Sequence, residues 1–277
     1  MYLHLDPNFI PFTSECDLVF ETSTFPGGEP HIRIVSEITS EEVTITHRIK
    51  EFNDVGVLLI ATNALRNMGV EKIHLVLPYF PGARQDRLMT DGEALTAKVY
   101  AELLNAQNYK TVRIFDPHSD VSPALINRCK VISNLGFIKQ VCSELPKDLC
   151  LISPDGGALK KIYKLAQQLE HYPVIEASKT RDVRTGALSG FKVYTDDLAG
   201  KDCLLIDDIC DGGGTFLGLA QELKAKNAGK LYLAISHGIF SKGLTALENT
   251  FERIYVTDSF QNYQSESLTQ IRLNTLL

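Results

Sequence analysis

A chain of 277 residues, 44% apolar and 22% charged, has room for two ordinary domains and enough apolar material to fill their cores. Its formal net charge of −6 argues against binding driven by neutralisation of nucleic-acid phosphates, and no apolar run approaches the ~18 residues that would cross a bilayer. Met1-Tyr2-Leu3-His4-Leu5-Asp6-Pro7 lacks the basic flank and apolar core of a secretory signal, and the six cysteines form no C-x-x-C pair, so reduced thiols in a cytoplasmic protein are expected.

The first thirty residues are proline-bearing and weakly periodic, and Phe25-Pro26-Gly27-Gly28-Glu29-Pro30 reads as a turn or loop. Alternation in His31-Ile32-Arg33-Ile34-Val35 predicts a strand, and Val43-Thr44-Ile45-Thr46 another. Glu51 to Met68 is apolar nearly all round and stops at Gly69, the pattern of a buried helix closed by glycine. Lys72 to Leu77 predicts a central strand feeding Pro78-Tyr79-Phe80-Pro81-Gly82-Ala83-Arg84-Gln85-Asp86-Arg87, a loop with two arginines. A helix over Glu93 to Asn105 follows, then a strand, Val112 to Phe115, ending in Asp116-Pro117-His118-Ser119-Asp120.

After Cys129-Lys130-Val131-Ile132 the same grammar restarts. A short helix near Leu135 to Ser143 leads to strand Leu149 to Ser153, and Pro154-Asp155-Gly156-Gly157 opens a long helix through Glu170. Val174 to Ala177, Phe191 to Tyr194, Asp202 to Asp208, Leu231 to Ser236 and Arg253 to Thr257 read as strands. Ser178 to Gly190 reads as a polar loop carrying Lys179, Arg181 and Arg184 around Asp182 and Gly186. Two successive βαβ series predict an α/β protein of two similar lobes, residues 1–133 and 134–277, each a mainly parallel sheet flanked by helices.

The most informative stretch is Leu204-Leu205-Ile206-Asp207-Asp208-Ile209-Cys210-Asp211-Gly212-Gly213-Gly214-Thr215-Phe216. Apolar residues run into carboxylates, glycines and a threonine, and Phe216, Leu219, Ala220 and Leu223 then mark a helical stripe. Strand, loop and helix in that order place the loop at a strand's carboxyl end, where parallel sheets bind ligands. Gly212, Gly213 and Gly214 let backbone N–H groups approach a phosphate, helped by the helix dipole, with the Thr215 hydroxyl beside them. Asp207, Asp208 and Asp211 would repel a phosphate, so they suit sugar hydroxyls or a divalent cation. Neither a G-x-x-x-x-G-K-[ST] nor a G-x-G-x-x-G pattern is present. The alternative is an ordinary strand–helix turn, disfavoured because three carboxylates at the end of an apolar strand are costly without partners. Arg84-Gln85-Asp86, His118, Asp155 and Lys179-Thr180-Arg181 join this loop at other strand ends, a mixture suited to phosphoryl-type chemistry.

The acidic glycine loop resembles the ribose-phosphate loop of the type I phosphoribosyltransferase fold. Pro78 to Arg87 resembles the ATP loop of the ribose-phosphate pyrophosphokinases, or phosphoribosyl pyrophosphate (PRPP) synthetases. Asp116-Pro117-His118 is similar to that family's D-L-H, Ser153 to Gly157 to its S-P-D-x-G-G, and Ser236-His237-Gly238-Ile239-Phe240 to its T-H-G-[IL]-F. The resemblance implies two tandem phosphoribosyltransferase-like domains and transfer of the β,γ-diphosphoryl group of ATP to the C1 hydroxyl of ribose 5-phosphate, with Mg²⁺ required. It implies that Arg84, Gln85 and Asp86, with Phe25 and Glu29 from a neighbouring subunit, bind ATP, and that His118 and Asp155 hold metal or metal-bound water. It implies Lys179 and Arg181 as a mobile catalytic pair joined by His118, and Asp207 to Thr215 as the ribose 5-phosphate site. A homodimer or higher homo-oligomer is expected, with no nucleic-acid or membrane partner.

The chain departs from the family pattern in three places. Its front part does not match, and Gly27 stands where the family has Asp or Asn, so the resemblance does not fix nucleotide discrimination. Leu88-Met89-Thr90-Asp91-Gly92-Glu93 lacks the basic residues usual after the ATP loop, so weak phosphate activation and weak ADP inhibition are expected. Neither end of the sequence matches the family's terminal segments, so a dimer rather than a hexamer is expected. The competing readings are a transferase that consumes PRPP and a non-catalytic partner of a true synthetase.

Overall fold

The structure, a computed structural model, describes residues 1–12, 17–169, 172–181 and 188–276. The expectations attached to Cys16, Glu170, His171, Asp182, Arg184 and Gly186, and to the side chain of Arg181, lie outside the described residues. The chain forms two compact units: Met1–Ser133 with Ser259–Gln261 and Arg272–Leu277, and Asn134–Asp258 with Asn262–Ile271.

The first unit contains β1 (Tyr2–His4), β2 (Phe20–Thr24), β3 (Pro30–Ile34), β4 (Glu42–Thr46), α1 (Phe52–Asn67), β5 (Lys72–Leu77), α2 (Thr96–Asn105), β6 (Thr111–Phe115), α3 (Val121–Leu125) and β7 (Cys129–Ile132). A five-stranded sheet has the order β1-β4-β5-β6-β7, and every neighbouring pair is parallel. Strands β2 and β3 form a separate antiparallel hairpin. Helix α1 buries Val55, Leu58, Ala61 and Leu65, spaced three and four apart, in one cluster with Val43, Ile45, Leu75 and Leu77 of the sheet. Gly69 takes φ +89°, the left-handed conformation that ends a helix without a Cβ clash. Helix α2 starts three residues later than its apolar pattern begins. The Glu93 carboxylate instead accepts the N–H groups of Met89 at 2.8 Å and Thr90 at 3.2 Å, holding the approach in a turn.

The second unit contains α4 (Leu135–Glu144), β8 (Leu149–Ser153), α5 (Gly156–Gln168), β9 (Val174–Arg181), β10 (Leu188–Val193), β11 (Asp202–Cys210), α6 (Gly214–Ala225), β12 (Leu231–Gly238), α7 (Thr245–Glu248), β13 (Arg253–Thr257) and β14 (Leu268–Ile271). Its seven-stranded sheet has the order β10-β9-β8-β11-β12-β13-β14. All pairs are parallel except β9 with β10. Every residue of β12 is buried, as expected for a central strand covered on both faces. Phe216, Leu219, Ala220 and Leu223 of α6 share a core cluster with Ile152, Leu205, Leu233 and Ile235. Each such aliphatic or aromatic side chain contributes about 1.5–3 kcal/mol on full burial.

Two sequence expectations need correction. Strand β11 continues two residues past the expected end at Asp208, so Ile209 and Cys210 lie on the strand with Asp207 and Asp208. Strand β9 continues to Arg181 and pairs with β10, so Lys179 and Arg181 lie on an edge hairpin, where a polar loop was expected after Ala177.

Candidate active site

In the second unit the candidate side chains gather at the carboxyl ends of β8, β9 and β11. Asp155 follows β8 and caps α5: its Oδ1 accepts the N–H groups of Gly157 at 3.0 Å and Ala158 at 3.1 Å. Its Oδ2 lies 3.0 Å from the Lys179 Nζ. The same ammonium group donates to the Thr215 hydroxyl at 3.1 Å. One lysine from β9 thus joins the β8–α5 turn to the glycine loop. Burial raises the Asp155 carboxyl, but Lys179 and the helix N–H groups outweigh it and hold the group below the ordinary range.

The loop itself turns at Gly213, which caps α6 with φ +76°. A Cβ there would lie 3.2 Å from Leu247 Cδ2, so the left-handed turn and the packing beneath it both favour glycine. The Gly214 and Thr215 N–H groups belong to the first turn of α6, where backbone donors lack helical partners and can face an anion. Asp208 is buried, and the Asp208 N–H donates to Asp207 Oδ1 at 3.0 Å. Burial, then the adjacent Asp208, pushes the Asp207 carboxyl well above the ordinary range, with Lys179 pulling weakly the other way. Cys210 is fully buried and its thiol is pushed upward, which makes it an inert packing residue.

In the first unit the ends of β5 and β6 meet through Asp86. Its carboxylate, 6% exposed, accepts from Arg87 Nε at 2.9 Å and from the Ser119 hydroxyl at 2.6 Å. The Arg87 hydrogen bond, with further help from Ser119 and His118, holds Asp86 below the ordinary carboxylate range. Arg84, Gln85 and His118 are exposed, so all three can reach a ligand. His118 in particular is not a core histidine. At the hairpin tip the Phe25 N–H donates to the Glu29 carbonyl at 2.9 Å, and the Phe25 ring meets His31 edge-on at 5.7 Å. Its residues alone would place Phe25 in a core, yet it is 56% exposed.

The structure therefore unites Lys179, Asp155 and Thr215 in one contact set, with Asp207 and Asp208 on the neighbouring strand and Gly212 to Gly214 leading into Thr215. It unites Asp86 with Arg87 and Ser119 in another. Arg87 and Ser119 were not picked out as site residues from sequence, although both stand inside stretches that were. Among the described residues, no group of three or more His, Cys, Asp or Glu side chains is arranged to hold a metal ion. No helix among them is long and apolar enough to cross a membrane.

A family model described as the N-terminal domain of ribose phosphate pyrophosphokinase matches residues 17–107, and a phosphoribosyl transferase domain model matches residues 136–260. The chain is 30% identical over 213 residues to a ribose-phosphate pyrophosphokinase of Saccharolobus solfataricus, covering 75% of this chain and 73% of the relative. It is 33% identical over 224 residues to one from Mycoplasma pneumoniae, covering 78% and 67%. A crystal structure of phosphoribosylpyrophosphate synthetase from Mycobacterium smegmatis has the same fold, with a TM-score of 0.83 and 24% identity over 94% of this chain and 88% of that one. Two domain matches in the right order, and relatives covered over two thirds or more of their length, place the chain in the ribose-phosphate pyrophosphokinase family.

Proposed function

We propose that this chain catalyses the family reaction, transfer of the β,γ-diphosphoryl group of ATP to the C1 hydroxyl of ribose 5-phosphate, giving PRPP and AMP. The C1 oxygen forms a bond to the β-phosphorus, the bond from that phosphorus to the oxygen bridging to the α-phosphate breaks so that AMP leaves with that oxygen, and the hydroxyl proton passes to solvent. The observation that carries this reading is the contact of Lys179 with both Asp155 and Thr215 at the acidic glycine loop. A cation so placed can neutralise charge on the transferring group beside a bound sugar phosphate.

The family motifs suggest the division of roles, and the geometry within each unit supports it. Asp207, Asp208 and Asp211 accept hydrogen bonds from ribose hydroxyls, and Gly212, Gly213, Gly214 and Thr215 hold the 5-phosphate. Lys179 neutralises charge on the diphosphoryl group, and the family motif makes Arg181 its partner in the catalytic pair. Arg84, Gln85 and Asp86 serve ATP, Asp86 by bracing the loop and Arg87 through the guanidinium that Asp86 holds. Phe25 and Glu29, at an exposed hairpin tip, are available to the ATP of a neighbouring copy in a homodimer or larger homo-oligomer.

The donors present suit Mg²⁺ that arrives with ATP. Mg²⁺ keeps several waters and needs only one or two carboxylates when phosphates supply the rest. In the second unit Asp155, whose Oδ2 is shared with Lys179, fits such a limited share; in the first unit the exposed His118 is suited to metal-bound water. When bound, the ion screens the charge of the triphosphate.

A ³¹P NMR time course with ATP, ribose 5-phosphate and Mg²⁺ tests the reading. AMP and PRPP rise together in wild type, and the rate falls about 10²- to 10⁴-fold in Lys179→Ala, the scale expected for removal of a charge-stabilising group. ADP as the product, or ATP left intact by wild type, would overturn it.

A further inference from the structure

The loop after β12 has no part in the roles set out above, yet it lies against the phosphate loop. Its backbone is fixed to the end of β11, where the N–H groups of Ile239 and Phe240 both donate to the Cys210 carbonyl, at 2.8 and 3.1 Å. The Tyr263 hydroxyl lies within hydrogen-bond distance of the Gly238 carbonyl, at 2.8 Å, and of the Ile239 carbonyl, at 3.0 Å. The Phe240 ring packs edge-on against Tyr263, 5.0 Å between centroids. The Gly243 N–H then returns to the Phe240 carbonyl at 2.8 Å, closing a tight turn with Ser241 and Lys242 at its centre. Helix α7 follows, and its Leu247 underlies Gly213.

Lys242 emerges from this anchored turn over the glycines. A Cβ on Gly212 would lie 3.4 Å from both Cδ and Cε of Lys242, so the lysine stem covers the face that the glycine leaves bare. The ammonium group, one bond beyond Cε, is carried at the rim of the loop. It makes no ion pair among the described residues, whereas Lys179 is shared between Asp155 and Thr215. A phosphate monoester brings about −1.5 to −2 charges at neutral pH. It would enter a loop that already carries Asp207, Asp208 and Asp211, so a second cation is needed for that charge to be tolerated.

We infer that Lys242 binds the phosphate of ribose 5-phosphate and selects the phosphorylated sugar over the free pentose. The inference rests on the ribose 5-phosphate reading of the Asp207 to Thr215 segment. The anchored turn explains how an exposed lysine can act so. Its backbone is held before the ligand arrives, and only the end of the side chain remains to be ordered.

The test pairs calorimetric titration of ribose 5-phosphate with steady-state PRPP formation, using wild type, Lys242→Met and Lys242→Arg. Methionine keeps an apolar stem over Gly212 and removes the charge. It should raise Kd and KM for ribose 5-phosphate about 10- to 100-fold, the range for losing a charged hydrogen bond, while kcat and KM for ATP stay within about threefold on the same basis. Arginine should restore most of the affinity, and free ribose should bind equally weakly to wild type and Lys242→Met. Wild type that binds ribose 5-phosphate beside an unaltered Lys242→Met would overturn the role of Lys242 alone. A matching rise in KM for ATP, with no rescue by arginine, would reduce Lys242 to a packing residue and also overturn it. Wild type that does not bind ribose 5-phosphate would overturn the reading of the loop, and the role of Lys242 with it.

Discussion

Asp86, in the loop after β5 of the first unit, and Asp207, near the carboxyl end of β11 in the second, are treated in opposite ways. Asp86 finds Arg87 in its own loop and Ser119 in the next one, and titrates below the ordinary range. Asp6, after β1, is likewise met by Arg48, whose Nε lies 2.6 Å from Oδ2 with the guanidinium stacked on Phe9. Burial alone would raise Asp6, but Arg48 outweighs it and the group is lowered. Asp207 instead has Asp208 beside it and only a distant share of Lys179, and it is raised. Folding completes the polar ends of the first sheet from within, whereas the second sheet keeps crowded carboxylates that sugar hydroxyls and a cation would relieve. Strain of that kind is tolerated where a ligand binds.

The largest effect that would break this contrast comes from Arg48→Leu. It leaves Asp6 buried without its cation and should cost about 3–5 kcal/mol in urea unfolding; a neutral result would mean that Asp6 does not depend on internal pairing. Asp86→Ala should cost less, about 1–3 kcal/mol, because Ser119 loses its acceptor but Arg87 can turn to water. The smallest effect has the opposite sign. Asp207→Asn removes charge from the crowded pair and should raise Tm by about 2–4 °C at pH 7.5, the shift that about 1 kcal/mol gives in a domain of this size. A lower Tm in that variant would erase the difference between the units.

pH sharpens the same contrast. Asp6 and Asp86 lie below the unfolded value of about 3.9, so their stabilisation is present above it and is lost as pH falls through their lowered values. Asp207 is raised, so its stabilising share is present below about 3.9 and is lost as pH rises through its folded value. The Tm advantage of Asp207→Asn should therefore shrink as pH is lowered from 7.5 towards 4 in parallel melts of the two proteins. An advantage that grows on acidification would contradict the assignment.

Much of this was legible in the residues. Lys72 to Leu77, Leu149 to Ser153 and Arg253 to Thr257 are strands with the same ends that their apolar runs mark, because central parallel strands are buried on both faces and bounded by turn residues. What escaped were elements whose signal is short or comes from a partner. Strand β1 has three residues and exists by pairing with β4, and β14 is a four-residue edge on β13. The β9–β10 hairpin carries Lys179 in a stretch whose polarity suggests a loop, since an edge strand needs no apolar run. The chemistry of the loop from Asp207 to Thr215 could be read from spacing, but its connections could not. Lys179 meets Asp155 across 24 positions of chain and Thr215 across 36. Lys242 lies two residues beyond the Ser236 to Phe240 segment noted for similarity, and its approach to Gly212 depends on two backbone bonds to Cys210 that no local pattern announces.

The burial of cysteines in the second unit makes that unit its own clock. Cys150, Cys203 and Cys210 are at most 3% exposed and Cys142 8%, while Cys129, among the described residues of the first unit, is only partly buried. Burial pushes the Cys203 thiol up to about 12, so a thiol reagent meets almost no thiolate there until the sheet opens. Labelling of these thiols should therefore be slow and should report openings of the second unit's core without any engineered probe.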